Sequence, residues 1–261
     1  MTTLVAGVEG IGFWADGLPS WDAARAFVAS GELPADAPAR PSPELLPANE
    51  RRRAPASVAV ALEAALAACR AAGADPATLP SVFASTYGDI GITDYICTTL
   101  AADASSLSPT RFHNSVHNAA AGYWTIGTGC HAPATAISSG GASFAQALVE
   151  AMSQLGAGAT RVLLVAYDAQ ATGPLATMAP SSGLLGGALV LSRPPGADVP
   201  RLRGTFLGAG AQAPSGPLAQ RLAANAMAPM LPLFQALASG ADLIQLDAGP
   251  GRALRVEIAH G

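Results

Sequence analysis

The sequence contains no lysine; all fourteen of its basic side chains are arginine (Lys+Arg 14). That removes Schiff-base and lysine general-base chemistry, both of which need an amine. Charge of either sign is scarce, 12% of residues against 50% hydrophobic, so most elements are expected to be buried on more than one face or covered by a partner. Cysteine is limited to Cys69, Cys97 and Cys130. An odd number without zinc or disulfide spacing fits a reducing, cytoplasmic setting. The opening MTTLVAGVEG lacks the basic region of a signal peptide, and no uncharged stretch reads as a membrane span. Cofactor signatures are missing too. GVEGIG has the wrong spacing for a dinucleotide fingerprint and there is no Walker A loop, so no cofactor is expected. The net charge is −4, and the only basic cluster is Arg51-Arg52-Arg53, ahead of a helix. It reads as a solvated charge run, or as a contact for a phosphate or an acidic carrier protein. Nothing resembles a nucleic-acid surface of clustered charge with interleaved aromatics.

What is present is an alternation of short apolar strands and amphipathic helices, the pattern of a layered α/β fold. Strands are expected at 4–8, 81–86, 135–138, 161–168, 186–192, 202–208, 242–247 and 253–258. RVLLVAYD, 161–168, is apolar almost throughout, as suits a sheet covered on both faces. Helices are expected at 21–30, 56–72, 88–100, from 144 onward and near 217–238. Val58, Leu62, Leu66 and Cys69 form one apolar stripe, and Phe144, Leu148, Met152 and Leu155 another. Residues 32–50 read as a surface loop. Residues 112–149 contain no Asp, Glu, Lys or Arg and read as deeply buried, polar-lined backbone.

The segment ATAISSGGASFAQALVEA, 134–151, runs from a β-branched strand through Ser-Ser-Gly-Gly into a helix. Such turns suit a nucleophile, because free N–H groups and the helix dipole stabilise an anion there. Here the turn holds glycine. Ser138, Ser139 and Ser143 read as cap and turn residues, and Ala136 and Ile137 stand where a nucleophile elbow needs its first glycine. His113 and His117 are four apart, a spacing that suits a metal on one helix face. No third ligand cluster follows and HNSVHNAAAG reads as an ordered loop, so no metal is expected. Cys130-His131 reads as a buried structural cysteine rather than a thiol pair.

Four segments, GIGFWADGLPSWDAARAFVASG, SPTRFHNSVHNAAAGYWTI, APATAISSGGASFAQALVEAMSQLGAGATRVLLVAYD and GLLGGALVLS, resemble the β-ketoacyl synthases of the thiolase fold in wording and order. The likeness spans residues 4–192 and is closer to the short, degenerate chain-length factors, in particular those of aryl polyene clusters. It implies an α/β, thiolase-like layered fold with an essentially complete N-terminal half, 1–195, and a truncated C-terminal half, 196–261. In active members the third strand ends in a Cys at the start of the next helix; laid without gaps, this chain has Gly141 there. Active members also use two histidines from the second half. Near the place of the first, DLIQLDAGPG offers Asp247, and His260 has nothing after it to orient it. Nucleophile and both bases are absent together, and losing general-base help alone removes about 10²–10⁴ in rate.

The resemblance therefore implies a non-catalytic subunit that forms a heterodimer with an active ketosynthase, shapes its acyl tunnel and meets acyl carrier protein transiently. The setting would be polyketide- or fatty-acid-type biosynthesis, with aryl polyenes the product class that the likeness names. Ile90, Thr93 and Cys97, spaced i, i+3 and i+7, would line the tunnel unless their helix face packs into the core. Phe112, His113, Asn114, His117, Tyr123, Trp124 and Thr135 would face the partner. Two other readings stay open: a small acyltransferase or thioester hydrolase using Ser139 or Cys130 with His117, and a homodimeric acyl-carrier scaffold without a ketosynthase partner.

Overall fold

The computed structural model describes residues 3–193 and 198–261. In chain order the elements are β1 (Leu4–Ala15), α1 (Trp21–Ser30), α2 (Ala48–Arg53), α3 (Ala56–Ala71), β2 (Ser81–Ala84), α4 (Ile90–Ala102), α5 (Pro109–His113), α6 (Ala119–Thr128), β3 (Ala134–Ile137), α7 (Ser143–Gly156), β4 (Arg161–Asp168), β5 (Leu185–Ser192), β6 (Arg201–Leu207), α8 (Pro217–Leu222), α9 (Leu231–Ser239), β7 (Leu243–Asp247) and β8 (Ala253–Ala259).

Local chemistry explains the clearest of these. Helix α1 starts where the Ser20 side chain accepts from the Ala23 N–H and stops at Gly31, whose φ of 76° suits a residue without a β-carbon. β1 is far longer than the 4–8 expected. Its glycines do not break the strand; they let the alanine-rich α3 lie directly on it. A β-carbon on Gly10 or Gly12 would collide with the carbonyls of Ala68 and Ala64, so these glycines serve close backbone approach. Helix α3 is buried on most sides, not along one stripe, and Leu66 is its half-buried margin.

All eight strands form one sheet in the order β3-β2-β4-β5-β1-β6-β8-β7. β3, β2 and β4 run parallel; every other neighbour pair is antiparallel. Read outward from the β1–β6 seam, the two directions begin alike, β5 then β4 on one side and β8 then β7 on the other. The first continues with β2 and β3, while the second ends at β7. Residues beyond 198 thus extend the same sheet, on the plan of the first half but with fewer strands.

Each face has its own core. On one, α7 inserts Phe144, Leu148, Met152 and Leu155, each worth about 1.5–3 kcal/mol of burial. Phe234 of α9 stacks with Phe13 at 5.5 Å between ring centroids and with Phe144 at 6.3 Å. On the other, α3 and α6 cover Phe83, Leu163, Val165 and Tyr167, and Trp124 of α6 lies 6.4 Å from Phe83. On the second of these faces, the β6–β8 extension carries Arg201, Arg203 and the Arg255–Glu257 ion pair, 3.0 Å apart. That part of the face is built for water.

Several expectations are corrected. The single helix expected near 217–238 is split into α8 and α9. Pro229 and Pro232 lack the N–H groups of a continuous helix, and Asn225 turns the chain by donating to the carbonyls of Asp168, Ser182 and Gly183. Arg51–Arg53 precede α3, as expected, but they also form the last turn of a short helix, α2, which begins inside the stretch 32–50 expected to be loop. HNSVHNAAAG is the end of α5, a turn and the start of α6. The largest correction concerns 112–149. Phe112 (60% exposed), Val116 (51%) and Ile126 (80%) lie on the surface, as does most of 133–141. The uncharged stretch includes an edge strand and its flanking helices, not buried backbone.

Candidate functional site

The turn at 138–142 joins β3 to α7. Gly140 has a φ of 54°, and the buried Ser143 hydroxyl accepts from the Ser139 N–H at 2.9 Å while donating to the Gly140 carbonyl at 2.7 Å. Ser138 donates to the Thr86 carbonyl at 2.9 Å. Ser138 and Ser143 are thus turn residues, as expected, although the helix N-cap, Ala142, has no side-chain cap bond. Gly141 is exposed and is absent from the glycines with positive φ, so the backbone does not demand glycine there.

What faces Gly141 is Asp247, at the end of β7. A β-carbon on Gly141 would lie 3.2 Å from Asp247 Oδ2, while Oδ1 accepts from the Gly249 N–H at 3.0 Å. The two positions singled out from distant parts of the sequence share one open cleft of about 550 Å³, whose lining includes Ser139, Gln212 and Gln245. A carboxylate beside a helix N-terminus can hold a proton donor or a cation; it cannot be acylated and resolved as a thiol can.

The alternative nucleophiles are not assembled. Cys130 is buried and its thiol points at the Leu79 carbonyl, 3.5 Å away, before β2. His117 Nε2 is bonded to the Ser85 carbonyl at 3.1 Å, beyond the other end of β2. Six residues of extended chain separate those anchors, roughly 20 Å. His131, next to Cys130, is exposed. His260 is oriented after all, by the Ala241 carbonyl at 3.2 Å. Among the described residues no histidine nitrogen bonds a serine hydroxyl or a thiol.

Sequence reasoning missed Asp168, the one charged residue ending an otherwise apolar β4 after Arg161. Its buried carboxylate accepts from the Ser85 hydroxyl at 2.6 Å and the Thr86 N–H at 3.0 Å. Burial pushes its pKa up against those hydrogen bonds. It pins the loop that leads into α4 and carries the Thr86 carbonyl bonded by Ser138.

Helix α4 has no buried residue at all. Ile90 and Thr93 are half-buried and Cys97 is exposed, so their face is not core in this chain. The helix is capped by Asp89, which accepts from the Ile92 N–H at 2.9 Å and the Ser57 hydroxyl at 2.7 Å. Of the residues expected at a partner face, Phe112 and His113 are exposed, and His117, Tyr123 and Thr135 are half-buried. Asn114 and Trp124 are corrected: Asn114 is buried and accepts from the Tyr123 hydroxyl at 3.1 Å, and Trp124 is core. Val116, Ile126, Leu100, Leu175 and Met178 were missed, and all are exposed. Their signal was a hydrophobic residue in a stretch without charge.

The basic cluster also has a place. Arg51, Arg52 and Arg53 line a cleft of about 940 Å³ with Arg40 and Arg111.

A sequence-family model described as "Beta-ketoacyl synthase, N-terminal domain" matches residues 21–248. Among curated protein sequences none matches the chain. Among solved structures, a ketosynthase (ApeO) in complex with its chain length factor (ApeC) from Xenorhabdus doucetiae is similar, with a TM-score of 0.76 and 23% identity over 97% of this chain and 99% of that one. The ishigamide ketosynthase/chain length factor matches with a TM-score of 0.74 and 17% identity over 99% and 100%. A β-ketoacyl synthase from Burkholderia phymatum matches with a TM-score of 0.59 and 16% identity over 92% of this chain and 71% of that one. At these identities the likeness establishes the fold, which is the thiolase-like α/β arrangement expected from the sequence.

Proposed function

Because the chain belongs to the β-ketoacyl synthase N-terminal domain family, we propose that it is a non-catalytic, chain-length-factor subunit. It pairs with an active ketosynthase, and its own α4 walls that subunit's acyl tunnel.

The observation that carries this reading is the stretch 112–149, which runs from the end of α5 through α6 to the edge strand β3 and into α7. It has no formal charge, yet it exposes Phe112, Val116 and Ile126, and its strand β3 is the last of the sheet. Edge strands left for water are normally guarded by shortness, charge, proline or a bulge; β3, Ala-Thr-Ala-Ile, is short but carries no charge, proline or bulge. A second strand and an apolar surface would complete it. The site supports the non-catalytic half of the reading, since Gly141 faces Asp247 and no histidine serves either. The two similar structures that are ketosynthase and chain length factor pairs are matched over nearly their full chains, whereas the Burkholderia phymatum enzyme is matched over 71%. Carrier protein would bring acyl groups to the active partner, and aryl polyenes are the product class favoured by the sequence likeness.

The test is reconstitution. An active ketosynthase from the same gene cluster, acyl carrier protein and malonyl donor are assayed with and without this chain. Products of one defined length only when the chain is present support the proposal. Condensation by this chain alone, or no effect on the partner's product, overturns it.

A further inference from the structure

Five of the fourteen arginines surround one concavity: Arg40 from the loop before α2, Arg51, Arg52 and Arg53 from α2, and Arg111 from α5. The chain as a whole carries −4, so this grouping is opposed to its net charge. Among the described residues none of the five is in an ion pair with a carboxylate. Arg51 is committed to the fold, donating to the Leu46 carbonyl at 3.2 Å and the Ser42 hydroxyl at 3.3 Å, and Arg52 donates to Asn49. Arg40 and Arg53 make no side-chain hydrogen bond among the described residues. The one carboxylate in the lining, Asp89, is occupied by the Ile92 N–H and the Ser57 hydroxyl. Guanidinium groups without a carboxylate partner around one concave site suit a multiply charged tetrahedral oxyanion, which can accept several charge-assisted hydrogen bonds at once.

Two members of the lining also hold α4. Arg111 lies 4.1 Å from the centroid of the Tyr95 ring, a cation–π contact with the middle of that helix. Asp89 caps its first turn. With no buried residue of its own, α4 depends on such contacts for its position. An oxyanion in the cleft competes with Tyr95 for Arg111.

The geometry points to a binding site for a phosphate-bearing ligand in the arginine cleft, coupled through Arg111 and Tyr95 to the position of helix α4. The binding claim stands apart from the proposed function. The coupling gains its meaning from it, because α4 is there the helix that walls the acyl tunnel. The phosphate can be free or displayed on a carrier protein.

The probe is pyrophosphate, titrated by calorimetry into the full chain and into its complex with the ketosynthase, with sulfate as a singly tetrahedral comparison. Carrier protein with and without its phosphorylated arm is run alongside. Saturable pyrophosphate binding is expected, weakened about tenfold or more by Arg52→Ala/Arg53→Ala, a pair on the surface whose loss leaves the core intact. Hydrogen exchange over residues 90–102 should rise on binding; in Arg111→Ala it should be high already and unchanged by pyrophosphate. Binding that the double variant leaves intact, or no binding of any probe, overturns the site. Binding without a change in exchange overturns the coupling. Tighter binding of the phosphorylated carrier than of pyrophosphate assigns the phosphate to the carrier, and the reverse assigns it to a free ligand. Failure of the proposed function appears separately, as loss of complex formation with binding unchanged.

Discussion

Gly141 and Asp247 face each other, with Asp247 Oδ2 3.2 Å from where a β-carbon of residue 141 would be. One stands at the start of α7 and the other at the end of β7. A thiol introduced at 141 would feel two opposed fields. The helix N-terminus lowers a thiol pKa, while the adjacent carboxylate raises it. Gly141→Cys is therefore expected to give no carbon–carbon bond formation and a sluggish thiol. Asp247→Asn in that background should speed iodoacetamide alkylation at neutral pH by about tenfold, measured with Cys97 changed to serine. Equal rates with and without the carboxylate would show that the two residues do not meet.

The three native cysteines should differ sharply in the isolated chain. Cys97 is exposed on α4, whereas Cys69 and Cys130 are buried, and burial pushes the Cys69 thiol up to about 12. One equivalent of alkylation under native conditions is expected, at Cys97, rising to three on denaturation. If the ketosynthase covers α4, its addition should protect Cys97. Undiminished labelling in a purified complex would move the interface away from this helix.

Thr93→Phe and Cys97→Phe probe the tunnel. Overpacking a core costs about 1–3 kcal/mol, but α4 has no buried residue. Each change should leave the melting temperature of the lone chain almost unaltered, as surface substitutions do. In the reconstituted complex each should shorten the product by one or more two-carbon units, read by mass spectrometry. An unstable chain making full-length product would assign this face to the core instead.

Glu63 of α3 supplies a pH signature. It is more than half buried, and desolvation raises its carboxyl above the ordinary value, against a backbone hydrogen bond from Ser42. A raised folded-state pKa means that the folded chain binds the proton more tightly than the unfolded one. The stability this gives is present at acid pH and is lost as pH climbs through the raised value. Glu63→Gln should match the wild type near pH 4 and melt higher at neutral pH. A variant that melts lower at neutral pH would reverse the assigned sign.

Much of this was legible in the sequence because periodicity and caps are local. Phe144, Leu148, Met152 and Leu155 declared the buried face of α7, and Gly31 the end of α1. Gly141 was readable because the strand on one side and the helix on the other fixed its register. Three kinds of feature were not legible. Gly10 and Gly12 looked like punctuation, and only the approach of α3 shows that they admit a helix. Asn225 helps to split a helix through bonds to carbonyls far away in sequence. The absence of charge in 112–149 was visible, but it is compatible with burial inside the chain and with burial against another. Only the exposure of Phe112 and Ile126 excludes the first.

The central claim is that this uncharged face belongs to a second protein. Sedimentation velocity of the chain alone, of a cysteine-containing ketosynthase from the same gene cluster, and of their mixture tests it most directly. The claim predicts that the chain alone self-associates and that the mixture yields one new species of one-to-one mass. A stable monomer that sediments unchanged beside the ketosynthase would contradict it.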